Sequence, residues 1–136
     1  RETASPPPRV QVVLHVDLDA FFVQVHRHLD PRLRGQPVAV QQHQDLIAVS
    51  YEARALGVQK HMLPADVRAQ FPSVILVHAC TLRRSGRDKV SYGRYRRAGR
   101  AVFTLARSFI SPQKDTGRLL FEAASIDEAY LVPDLD

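Results

Sequence analysis

V-Q-V-V-L-H-V-D-L-D-A-F-F-V-Q-V, Val10 to Val25, changes its hydrophobic period partway along. Val10, Val12, Leu14, Val16 and Leu18 alternate with other residues, as on one face of a strand. From Phe21 the apolar positions become Phe21, Phe22, Val25 and Leu29, which is a helical stripe, and Asp30-Pro31 ends it. A strand that runs into a helix across D-L-D makes the opening of the chain mixed α and β. Alternation also puts Asp17 and Asp19 on one side of the strand.

Working outward, Pro37 to Gln42 and Leu46 to Tyr51 read as two strands, and His43-Gln44-Asp45 is short enough for a hairpin loop. Glu52 to Leu56 reads as a short helix with Gly57 placed to cap it. Pro64 opens a further helix that Phe71-Pro72 stops, and Val74 to Val77 is a buried strand. A long helix is expected from about Gly86 to Phe109, with Val102, Leu105, Ala106 and Phe109 as its stripe and Ser111-Pro112 as its end. After a polar turn at Lys114 to Gly117, Leu119 to Ala123 and Ile126 to Val132 read as paired strands joined near Ala124-Ser125. The class is therefore α/β in the α+β sense. Strands from the two ends of the chain, laid side by side, would bring Asp17 near Asp127.

The 136 residues, 45% hydrophobic and 24% charged, suit one modest domain with a core of its own. No apolar run approaches the roughly 20 residues needed to span a bilayer, so no membrane partner is expected. Pro6, Pro7 and Pro8 point to an extended tail over residues 1–9. The single Cys80 has no internal disulfide partner, which fits a reducing compartment. The net charge of +5 is concentrated. Arg83, Arg84, Arg87, Lys89, Arg94, Arg96, Arg97, Arg100 and Arg107 face one acid, Asp88, with Tyr92 and Tyr95 interleaved. Such a block is either a solvated helix face or a nucleic-acid contact.

Two acidic sites follow apolar residues: Asp17 with Asp19 after Val16, and Asp127 with Glu128 after Ile126. Carboxylates held against an apolar sheet are costly unless a cation offsets them, and hard divalent ions such as Mg²⁺ suit oxygen ligands. Two such ions about 4 Å apart can activate an attacking hydroxyl and stabilise a leaving phosphate oxygen. Taken alone, D-x-D and D-E are also ordinary caps and surface ion pairs.

Three longer motifs supply context. V-D-L-D-A-F-F-V-Q-V (Val16 to Val25), I-A-V-S-Y-E-A-R-A-L-G-V (Ile47 to Val58) and A-S-I-D-E-A-Y (Ala124 to Tyr130) resemble the opening, fingers and second carboxylate motifs of the Y-family (translesion) DNA polymerases, in that family's order. P-V-A-V-Q-Q (Pro37 to Gln42) points within the family to the eta branch. The resemblance implies an incomplete polymerase palm sheet with helices and an inserted small fingers subdomain. Palm falls on residues 10–20 and 86–136 and fingers on 21–85, with thumb and little finger absent. It implies template-directed DNA nucleotidyl transfer in translesion synthesis and repair. The partners are primer-template DNA and a deoxynucleoside triphosphate, and the location is the nucleus in a eukaryote or the cytoplasm otherwise.

Residue by residue, the resemblance places two Mg²⁺ ions, with Mn²⁺ as a substitute, on Asp17, Asp127, Glu128 and the carbonyl of Leu18; the three carboxylates are the catalytic set. Asp19 matches a position behind the ligands. Phe22 matches the steric gate under the sugar, and Phe21 beside it is counted with the nucleotide-binding residues while also suiting the core. Tyr51 and Arg54 match the pair that grips the triphosphate, and Lys60 and Tyr95 complete the nucleotide side. Gln42, Met62 and Arg96 fall on the template and DNA side. Lys60 stands where the eta branch has an arginine, His61 where it has a small residue, and the segment between Gln42 and Leu46 is shorter and lacks glycine. A non-catalytic nucleic-acid-binding fragment using the basic helix is the rival reading. The isolated chain, lacking thumb and little finger, is expected to extend a primer poorly.

Overall fold

A computed structural model describes residues 12–84, 87–110 and 119–133, grouped in two compact units. The tail and the turn at Lys114 to Gly117 lie outside the described residues. No helix among the described residues is long and apolar enough to cross a membrane.

The first unit takes the start of the chain and residues from Ala101 onward. Strand β1 (Leu14–Asp17) ends at Asp17 and does not continue through Leu18. The second unit, Leu18–Arg100, opens with helix α1 (Phe21–Leu29), which follows Ala20 in a left-handed conformation at φ 46. Alanine is disfavoured there by about 1 kcal/mol, so the turn is held by what surrounds it. Asp30 then accepts from the Arg32 amide and starts a 3-10 turn at Pro31–Leu33, which is why the helix stops.

Strands β2 (Val38–Gln42) and β3 (Asp45–Val49) form the expected hairpin, turning at His43, whose φ is 55. The register shifts between Val40 and Gln41, so that Ala48 faces Val40 and Leu46 faces Gln41. The extra residue, Ile47, reverses the alternation of β3. Leu46 and Val49 therefore join one core cluster, with Ala39, Ala53, Val58 and Val67, while Ala48 joins the other, with Val23, Leu33, Val38, Val40 and Ala79. Helix α2 (Tyr51–Ala55) starts at Ser50 and is followed by Gly57 at φ 104. Helix α3 (Pro64–Gln70) leads to β4 (Ile75–His78), parallel to β2, giving the sheet order β3-β2-β4. The middle strand is buried on both faces: Val38, Ala39 and Val40 are all 0% exposed.

The chain next forms a hairpin that the sequence reading missed. Strands β5 (Thr81–Arg84) and β6 (Arg87–Val90) pair antiparallel, and α4 (Gly93–Ile110) begins at Gly93, not near Gly86. In the sequence, Ser85-Gly86 is a turn-forming dipeptide, but the density of arginine around it reads as helix because arginine favours helices. In the first unit, residues 101–110 of α4 bring Phe103 to 5.4 Å from Phe121. Strand β7 (Leu119–Ala123) pairs with β8 (Glu128–Pro133), and β8 pairs with β1, in the order β1-β8-β7. Ile126 and Asp127 were expected inside the last strand but lie in the turn before it.

Two side chains tie the second unit together. Ser50 is buried, and its Oγ accepts from the amides of Val38 at 3.0 Å and Ala53 at 3.2 Å. Arg27 donates to Glu52 at 2.7 Å and to the carbonyls of Leu33 and Gln36. Glu52 lies below its ordinary pKa, first through its own backbone amide and then through Arg27.

Ser50→Ala leaves two amides inside the fold without their acceptor, so a loss of roughly 1–3 kcal/mol is expected in urea denaturation. A change below about 0.5 kcal/mol would show that neither bond matters. His26 also sets a pH dependence. Burial, and then Arg94, holds its pKa below 6.5 in the folded chain. The unfolded chain thus binds the extra proton first, so stability is complete above about pH 6.5 and falls as pH drops towards the folded value. His26→Gln should flatten that part of the urea-midpoint profile.

Candidate active site

The carboxylates meet through strand register. Asp17, the last residue of β1, is the partner of Glu128, the first of β8. Asp127 sits one residue earlier, where its Oδ1 accepts from the Ser125 hydroxyl at 2.9 Å and its amide donates back to that oxygen at 3.3 Å. The amides of Ala124 and Ser125 both donate to the Glu128 carbonyl, which closes the turn. His15 Nε2 lies 3.7 Å from Glu128, and its ring stacks on Tyr130 at 4.9 Å. Like charges directly opposite each other on neighbouring strands repel, so this pairing is best offset by a cation, and an all-oxygen donor set fits Mg²⁺. Among the described residues, no group of three or more His, Cys, Asp or Glu is drawn close enough to hold a metal ion. Asp17 and Glu128 are brought opposite each other; Asp127 is held by Ser125.

In the second unit, Leu18 is half-buried and Asp19 lies in the turn before α1, outside the strand in which it was expected. Asp19 accepts a hydrogen bond from the Tyr51 hydroxyl. That bond, more than the charge itself, raises the pKa of Tyr51. Ser50, by capping α2, sets Tyr51 and Arg54 on its first turn. The Arg54 guanidinium lies 4.9 Å from the centre of the Tyr51 ring, and its Nε donates to the Val49 carbonyl at 3.1 Å. Arg54 and Lys60 line one cleft of about 350 Å³, together with Gly57, Val58 and Gln59. His61 turns away to Asp45, with Nδ1 3.1 Å from Oδ1.

Phe21 is buried, as a core residue should be, and Phe22 is half-buried. The Phe22 ring packs on Tyr95 at 4.5 Å and meets Tyr92 at 6.3 Å. Tyr95 is 0% exposed, and its hydroxyl is engaged inside the unit by His26 and the Cys80 amide. Burial raises its pKa. Gln42 is half-buried and accepts from the Tyr92 hydroxyl at 2.6 Å. Met62 packs against the core, its sulfur accepting from the Gln59 amide, while Arg96 is exposed on α4 beside Arg94 and Arg97.

Sequence reasoning did not find the partners of these residues. Tyr51 with Asp19, Tyr92 with Gln42 and Tyr95 with His26 are all non-local, and nothing in spacing or composition announces them. The one available signal was the placing of Tyr92 and Tyr95 three apart within the basic block.

The impB/mucB/samB family model matches residues 16–136. DNA polymerase eta of Arabidopsis thaliana is 41% identical over 126 residues, which cover 89% of this chain and 17% of that protein. Among solved structures, a ternary complex of Dbh matches with a TM-score of 0.66 and 30% identity, over 88% of this chain and 30% of that one. A Y-family DNA polymerase chimera of Dbh and Dpo4 matches with the same TM-score and 28% identity, over 88% and 31%. The chain thus spans less than a third of each of these relatives. With its three motifs in order and its fold of palm and fingers type, the chain belongs to the impB/mucB/samB family of Y-family DNA polymerases.

Proposed function

We propose that this chain serves template-directed nucleotidyl transfer on DNA, with a deoxynucleoside triphosphate as substrate, in synthesis across damaged template. The observation that carries the reading is the register that sets Asp17 opposite Glu128, next to Asp127, within a chain of this family. Residues 10–20 and 86–136 act as palm and residues 21–85 as fingers.

Asp17, Asp127, Glu128 and the Leu18 carbonyl would hold two Mg²⁺ ions. When bound, such ions activate an attacking 3′-hydroxyl and stabilise the leaving oxygen. The other residues bind and orient. Tyr51 and Arg54 grip the triphosphate; Arg54 spends Nε on Val49 and keeps its η nitrogens for phosphate oxygens. Asp19 holds the Tyr51 hydroxyl in place before it is handed to phosphate. Phe22 lies under the sugar, and Lys60, in the same cleft as Arg54, approaches the incoming base. The exposed arginines Arg94, Arg96, Arg97 and Arg100 contact the DNA backbone, which makes DNA binding salt-sensitive. Catalysis is positioning and charge neutralisation, with no covalent enzyme intermediate.

Binding of a non-hydrolysable deoxynucleoside triphosphate to the chain should depend on Mg²⁺. Arg54→Ala should weaken that binding by one to two decades, the roughly 1.5–3 kcal/mol of a charge-assisted contact, and weaken DNA binding less. Equal losses on both ligands would remove the triphosphate role. Asp127→Ala should abolish single-nucleotide addition to a primer while salt-dependent DNA binding persists; addition surviving that change would overturn the two-metal assignment.

A further inference from the structure

We propose that Tyr95, held by His26 and the backbone amide of Cys80, is the positioning residue that fixes the ring of Phe22 and so sets how strictly a ribonucleotide is rejected. The inference rests on the reading of Phe22 as the residue beneath the sugar.

Phe22 is surrounded by rings. Tyr95 lies 4.5 Å away at a tilt of 49°, Phe21 6.0 Å away and Tyr92 6.3 Å away, both edge-on. Tyr95 is the closest of them and is fully buried. A buried phenol needs partners for its hydroxyl, and Tyr95 has two. The Cys80 amide donates to the oxygen at 3.1 Å, and His26 Nε2 lies 2.8 Å from it. With the oxygen accepting from Cys80, the phenol hydrogen is assigned to the lone pair of a neutral His26. Burial favours the neutral form of both His26 and Tyr95.

The origin of the partners gives the frame its purpose. His26 lies four residues beyond Phe22 on α1, one turn along the same face. The helix that carries the gate therefore also carries the group that orients the gate's support. Cys80, between β4 and β5, supplies a second fixed point. Tyr92 is tied in turn to Gln42 at the end of β2 at 2.6 Å. A ring that discriminates by contact with one hydroxyl must be placed to within about 0.5 Å, and packing against a doubly bonded neighbour does that.

The test is the ratio of kcat/KM for deoxynucleotide over ribonucleotide, read in single insertions with the intact protein. Tyr95→Phe keeps the ring and removes both bonds, and should lower the ratio by about three- to tenfold; Phe22→Ala should lower it further. His26→Leu should act like Tyr95→Phe, while His26→Gln, whose amide oxygen can accept the phenol hydrogen, should restore the ratio. Phe22→Ala combined with Tyr95→Phe should match Phe22→Ala alone, because the support has nothing left to hold. A merely structural Tyr95 would lower stability and both rates together and leave the ratio unchanged, which overturns the inference while the gate reading stands. An unchanged ratio in Phe22→Ala removes the gate reading and this inference with it. If Tyr95→Phe does not fold, His26→Leu carries the same comparison with the Tyr95 ring in place. A second readout needs no catalysis. The chain has no tryptophan, so Phe22→Trp introduces a single fluorophore at the gate. Its anisotropy should fall when His26→Leu is added, and an unchanged value overturns the inference.

Discussion

The pairing of β1 with β8 is the constraint on which the carboxylate site depends. Leu14 faces Leu131, His15 faces Tyr130, Val16 faces Ala129 and Asp17 faces Glu128. Because side chains alternate with a period of two, a slip of one residue would send every member of this set to the opposite face. The register is defended by burial: Ala129 is 0% exposed, and a slip would replace this small buried residue with Glu128 or Tyr130. The His15–Tyr130 stack and the close approach of His15 to Glu128 follow from the same alignment.

The second unit is organised around a different constraint, the burial of β2 on both faces. A central strand so placed needs apolar surface above and below, and the displaced register at Ile47 lets β3 contribute to both. Ser50 then joins the sheet to α2 through one oxygen, accepting from β2 on one side and from the first turn of the helix on the other. Tyr51 and Arg54 inherit their placement from that cap. Sheet geometry thus reaches the proposed triphosphate grip through a single hydroxyl.

Much of this was legible. The change of period at D-L-D, the stop at Asp30-Pro31, the hairpin around His43 and Pro64 as a helix start are all local signals, and local signals survive folding. The meeting of the two ends of the chain was inferred from chemistry, since periodicity cannot say which strands pair. The β5–β6 hairpin was lost because arginine's helix preference outweighed one Ser-Gly dipeptide. The polar partnerships within the proposed site were invisible for a different reason: Asp19, His26 and Gln42 are ordinary polar residues until a distant tyrosine arrives beside them. Met62 illustrates the opposite limit, where a residue matched to a template role turns out to support the core as well.

The two units differ in how the chain reaches them. Leu18–Arg100 is one continuous segment, so every contact it makes is available once residue 100 has left the ribosome. The β1-β8-β7 sheet has no such freedom, because its first strand, Leu14–Asp17, is made long before its central strand, Glu128–Pro133. Closing so long a loop costs entropy before any strand contact repays it, which makes such pairings slow. During synthesis Tyr51 and Arg54 can therefore be in place while Asp17 still waits for Glu128. The pairing of Asp17 with Glu128 becomes possible only after the contacts of Leu18–Arg100 already are.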